Sequence, residues 1–131
     1  MADSRQDLRA VLEAEDGRSV LVVERRQREA QVAFESMLAI AEPRGQVACA
    51  SRVNGRERID FRSGGRVAFA SMAGRGGRGF SADVLVLDPS VLGRPDRLAD
   101  LLACLATSSE SQVWLSAGPI EMPIVAGISA P

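Results

Sequence analysis

The sequence contains no lysine, no histidine and no tyrosine, so all 16 of its basic residues are arginine. These absences remove whole mechanisms: Schiff-base chemistry, a phosphate-gripping lysine, a histidine general base, Ser-His-Asp and Cys-His pairs, and a tyrosine nucleophile. Cysteine is scarce as well. Cys49 and Cys104 are too few and too far apart for a zinc site that no histidine can complete. Both read as buried small hydrophobes in a reducing compartment. No apolar run approaches the roughly 20 residues of a membrane span, and Met1-Ala-Asp-Ser-Arg-Gln-Asp7 does not resemble a signal peptide, so a cytoplasmic location without membrane contact is expected.

What is present suits a single soluble domain: 131 residues, 46% of them apolar, with a formal charge of −1. We expect the domain to occupy residues 1–119, followed by an apolar, proline-containing tail over 120–131. The near-neutral total conceals a pattern. Residues 1–50 carry a net −2, residues 51–80 a net +5 and residues 81–131 a net −4. The basic centre holds Arg52, Arg56, Arg58, Arg62, Arg66, Arg75 and Arg78, which suit a phosphate backbone, an anionic ligand or an acidic protein surface. They suit equally a solvated hairpin whose arginines pair with the acidic flanks.

Ser4 and Asp7 resemble a capping box, and Leu8, Val11, Leu12 and Glu15 repeat at helical spacing until Gly17, which predicts a helix over 5–16. Ser19-Val-Leu-Val-Val23 reads as a strand buried on both faces. Ala30, Ala33, Phe34, Met37, Leu38 and Ala41 predict a second helix. From Gln46 the period becomes two. Val47 to Val53, Ile59 to Phe61 and Val67 to Phe69 predict an antiparallel three-stranded meander, with a tight turn at Asn54-Gly55 and a second at Ser63-Gly64-Gly65. The arginine-glycine segment 74–79 leads to Asp83-Val-Leu-Val-Leu-Asp88, an apolar strand closed by a carboxylate. Asp96 is placed to cap a helix carrying Leu98, Leu101, Leu102 and Leu105, and Ser111 to Ser116 reads as a last strand, with Trp114 as core. The order predicts an α/β fold: a parallel sheet with flanking helices and an inserted antiparallel meander. Ligands of such sheets sit beyond the carboxyl ends of the strands, where Asp88 is expected.

An apolar strand ending in Asp matches the magnesium-binding motif of P-loop enzymes, in which a following Glu polarises the attacking water. Here Pro89 follows. The lysine-bearing phosphate loop is absent, and segment 74–79 precedes a strand rather than a helix, so no helix N-terminus completes an anion cradle. Asp88 therefore reads equally as a simple cap on the loop that follows it. No pair of acids shows a spacing that suggests acid-base catalysis.

Three stretches taken together, Ile59 to Ser71, Gly77 to Asp88 and Ser111 to Pro119, resemble the ATPase domain of phage terminase large subunits, the motors that pump DNA into capsids. The resemblance implies a P-loop NTPase-like sheet lacking its first strand and lysine loop. Asp88 then stands as a vestigial magnesium site and Ser116 as a vestigial coupling residue, and no catalytic Glu or nuclease domain is present. It implies a phage or prophage protein acting without a cofactor and without catalysis, by binding DNA or a protein. The alternative is a residual magnesium-nucleotide binder or weak NTPase that uses Asp88; a third reading is a remnant fold with no selected role. Loss of the first strand is further expected to leave an open edge beside Ser19 to Val23. With the apolar tail, that edge favours a homo-oligomer or a protein partner.

Overall fold

The structure, a computed structural model, describes residues 4–73, 80–116 and 124–125. Helix α1 spans Ser4–Glu15, strand β1 Ser19–Glu24 and helix α2 Gln27–Ala41. Strands β2 (Val47–Ser51), β3 (Arg58–Phe61), β4 (Arg66–Ser71) and β5 (Val84–Leu87) follow, then helix α3 (Pro95–Leu102) and strands β6 (Gln112–Leu115) and β7 (Ile124–Val125). All seven strands form one mixed sheet in the order β2-β3-β4-β1-β5-β6-β7. β4, β1, β5 and β6 run parallel, while β2, β3 and β7 pair antiparallel to their neighbours.

The apolar runs of β1 and β5 are continuous because both sheet faces are covered. Val20, Val22, Val84, Val86 and Trp114 point toward α1 and α2, where Phe34, Met37 and Leu38 pack on them. Leu21, Val23, Leu85, Leu87 and Val113 point the other way, toward Val91, Leu101 and Leu105. The period of two within each strand thus sorts its side chains into two cores. Phe34 meets Phe69 edge to face, with ring centroids 5.6 Å apart.

The α/β class, the helix positions and the parallel sheet agree with the sequence reading. Five details differ. The expected open edge beside Ser19 to Val23 does not exist, because β1 is central and hydrogen-bonded to β4 on one side and β5 on the other. The meander supplies the missing neighbour: its last strand joins β1 in parallel, so the meander extends the sheet instead of standing apart from it. Asn54-Gly55 does not make a two-residue turn, since only Gly55 has a positive φ (82°) and six residues separate β2 from β3. Asn54 instead accepts hydrogen bonds from Gln27 and Gln31 of α2. Cys104 is buried but Cys49 is exposed, because β2 is the outermost strand on its side. α3 begins with Pro95 at its first position, which leaves Asp96 within the first turn and not at the cap. Leu102 of the expected apolar face is exposed.

Gly65 is required where the chain turns into β4. A Cβ there would lie 1.9 Å from the carbonyl oxygen of Ala14 at the end of α1. The Ser63 hydroxyl donates to that same carbonyl at 2.7 Å, which holds the helix end on the turn.

Candidate functional site

The parallel strands end together, and their last residues follow from the register. On the α1/α2 face Phe69, Val22, Val86 and Trp114 form one apolar rung. Two residues further along each strand stand Ser71, Glu24, Asp88 and Ser116, so the rung at the carboxyl end is polar. Backbone bonds fix it: the amide of Asp88 donates to the Val23 carbonyl at 2.9 Å and that of Ser116 to the Leu87 carbonyl at 2.8 Å. Gln6, at the start of α1, donates to the Leu115 carbonyl at 3.1 Å and brings the first turn of that helix over the same end.

Glu24, Asp88 and Ser116 line a crevice of about 240 Å³ together with Arg28, Glu29, Val32 and Ala33 of α2. The fold therefore brings together Asp88 and Ser116, the two residues that the resemblance to terminases singles out. Asp88 accepts a hydrogen bond from the Ser90 amide at 2.9 Å and so caps the short 3₁₀ turn over Pro89–Gly93, the simpler of its two expected roles. The Ser116 hydroxyl donates to the Leu87 carbonyl at 3.3 Å.

Glu24 is the residue that sequence reasoning missed. Burial first, and then the negative charges of Asp88, Glu29 and Asp7, push its carboxyl from the usual 4.5 up to about 7. Among the described residues its side chain makes no hydrogen bond or ion pair. A signal for it was present: Ser19-Val-Leu-Val-Val-Glu24 is an apolar strand closed by a carboxylate, the same pattern that marked Asp88. Such a carboxyl exchanges a proton near neutrality and attracts a cation when ionised. Among the described residues no group of three or more acidic or thiol side chains is placed to hold a metal ion.

The described arginines of the basic centre do not form one surface. Arg52 sits on the α2 side, 3.0 Å from Glu35 and over the Phe34 ring. Arg58 and Arg66 emerge from the opposite sheet face, where Arg58 pairs with Asp60 at 3.2 Å and Arg66 lies 4.8 Å over the Phe80 ring. Arg56 and Arg62 are exposed in loops at either end of β3, without an ion-pair partner among the described residues. Arg75 and Arg78 lie outside the described residues.

A second cavity, of about 490 Å³, adjoins the crevice and shares Arg28 and Val32 with it. Phe34, Glu35, Arg52 and Glu57 complete its wall, and Val32 is 63% exposed along it. Glu57, although buried, is held by the Gln27 amide at 3.0 and 3.1 Å.

These features define a three-layer α/β protein with an acidic crevice at the carboxyl ends of its parallel strands. Comparison with known families, curated proteins and solved structures finds no match. No helix among the described residues is long and apolar enough to cross a membrane.

Proposed function

We propose that this chain is a non-catalytic binding protein built on a sheet of the terminase-ATPase type, and that its ligand is a protein partner. One observation carries the reading: among the described residues, the crevice in which such sheets receive their ligands is lined by Glu24, Glu29 and Asp88 and by the guanidinium of Arg28, with Arg25 a further 3.8 Å from Glu29. A polyphosphate or a nucleic-acid backbone calls for the opposite sign. Pro89 supplies neither a carboxylate nor a backbone N–H beside Asp88, so the attacking water of an NTPase has no base at that step. The DNA branch is weakened because three of the clustered arginines, Arg52, Arg58 and Arg66, are engaged within the fold and divided between its two sides.

Calorimetry with magnesium-ATP and mobility shifts at low salt test the reading against its rivals. A flat trace and unshifted DNA are expected. DNA binding lost in an Arg56→Ala, Arg62→Ala double variant would overturn the protein-partner reading in favour of DNA.

The residual magnesium-nucleotide reading keeps one specific support, the placement of Asp88 and Ser116 side by side in one crevice. Heat with magnesium-ATP that disappears in Asp88→Ala would establish that reading instead.

A further inference from the structure

Among the described residues the sheet ends in β7 on one side and in β2 on the other, and β2 pairs only with β3. None of the five residues of β2 is charged and none is proline, although these are the usual devices that keep an edge strand from pairing with another chain. One irregularity is present, between Val47 and Cys49, and it confines the regular part of the ladder to Cys49–Ser51. The hydrogen bonds of β3 show which backbone groups of that part are open. The amide of Phe61 donates to the Gly65 carbonyl and that of Phe69 to the Glu57 carbonyl, so alternation assigns Ile59 to β4 as well. Arg58 and Asp60 then bond to β2, where they stand opposite Ser51 and Cys49. Ala50, between those two, turns its N–H and C=O away from the sheet. The first core is also unfinished at this edge. Val47 and Ala50 of β2 and Ile40 of α2 pack against it while only partly buried, because α2 rests mainly on β4, β1 and β3.

We propose that β2 pairs antiparallel with β2 of a second copy of this chain, with Ala50 on the two-fold axis. A two-fold contact must be complementary to itself, and this one is. About that axis Ala50 meets Ala50 and Cys49 meets Ser51, so small uncharged side chains oppose one another. The nearest flanking cations are neutralised within their own chain, Arg44 by Glu15 at 2.8 Å and Arg52 by Glu35 at 3.0 Å, so pairing sets no free like charges together. Ala50 of each copy exchanges its N–H and C=O with the other, which satisfies the outward groups of both. Ile40 and Val47 of the two copies then continue the first core across the axis. A strand of five residues is only about 17 Å long, which makes a small interface and a weak, concentration-dependent dimer.

This edge shares no residue with the crevice, so failure of the pairing leaves the protein-partner reading untouched. The test is sedimentation equilibrium of the full chain from about 10 μM to about 1 mM under reducing conditions. The mass should rise with concentration from that of one chain towards that of two and no further. Two variants address the edge. Ala50→Pro removes the outward N–H and leaves the bonds to β3 in place, and a Cys49→Lys, Ser51→Lys variant sets ammonium groups opposite one another. Each should weaken association roughly tenfold or more, whereas Leu102→Asp, exposed on α3, should leave it unchanged. Circular dichroism shows that each variant is folded. In the paired register the two Cys49 residues are diagonal neighbours roughly 7–8 Å apart, so a short bis-maleimide should join them, as read by mass spectrometry. A single-chain mass at every concentration would overturn the pairing. So would association that both edge variants leave unmoved, or that yields no link between the two Cys49 residues. A mass that grows past two chains would overturn the closed pair in favour of an open-ended sheet.

Discussion

Replacing Glu24 by Gln should make the protein more stable at pH 8 and change it little at pH 5. The carboxyl of Glu24 titrates near 7 in the folded chain and near 4.5 when unfolded, because burial and the charges of Asp88, Glu29 and Asp7 disfavour its ionised form. The folded state therefore holds the proton more tightly than the unfolded state does. Its contribution to stability is fully present below 4.5, declines as the pH rises, and is lost above about 7. The interval between the two values is worth roughly 3 kcal/mol at about 1.4 kcal/mol per pH unit, and solvent reaching the half-buried side chain reduces this to about 1–2 kcal/mol. Gln keeps the shape and removes the charge, so the variant should gain about 1–2 kcal/mol at pH 8, or about 3–7 °C in Tm for a domain of this size. The assay is thermal unfolding followed by circular dichroism, comparing the two proteins at pH 5 and pH 8. The difference between the two proteins isolates the charge at residue 24 together with its coupling to Asp88, Glu29 and Asp7. A gain of equal size at both pH values would refute the electrostatic argument, and a loss of stability at pH 8 would refute the placement of Glu24 among the other carboxylates.

Gly65→Ala should destabilise the fold by about 3 kcal/mol or more, because the new methyl meets the backbone carbonyl of Ala14 and neither side can yield without moving α1; urea unfolding measures this, and a change under about 0.5 kcal/mol would contradict the close approach. A thiol reagent should modify Cys49 in the native protein but reach Cys104 only on unfolding, since Cys104 is buried and its burial raises the thiol pKa. Equal rates for the two, read by mass spectrometry, would refute the assignment of β2 to the outside of the sheet. Arg52→Ala should cost less than about 1 kcal/mol in the same urea experiment, because its bond to Glu35 is exposed to solvent; a larger loss would mean that its stacking over Phe34 is the dominant contact.

Local pattern alone determined much of this protein. The alternation of Val20, Val22, Leu21 and Val23 and that of Val84, Val86, Leu85 and Leu87 announce strands covered on both faces. The three- and four-residue spacing from Ala30 to Ala41 announces α2, and Asp88 was legible as a strand-end carboxylate. The absence of lysine, histidine and tyrosine is likewise a property of the sequence, and it denies the crevice an ammonium, an imidazole or a phenol side chain whatever the fold. These features are local, set by which neighbours along the chain share a face.

Strand order was not local, and it decided the rest. Only the tertiary structure puts β4 beside β1, which closes the edge expected to be open and turns the meander into part of the main sheet. Only the parallel register sets Glu24 next to Asp88, 64 positions later in the chain, and Ser116 on the other side of Asp88. Coulomb interaction and desolvation depend on distances in space, so the raised pKa of Glu24 cannot be read from its sequence neighbours, whereas its place at the end of an apolar strand can. The same holds for the arginines. Clustered in sequence, they suited a basic surface and internally paired side chains equally; in the fold Arg58 and Arg66 share the sheet face of Asp60 and Phe80, whereas Arg52, in the loop after β2, pairs with Glu35 on the other side.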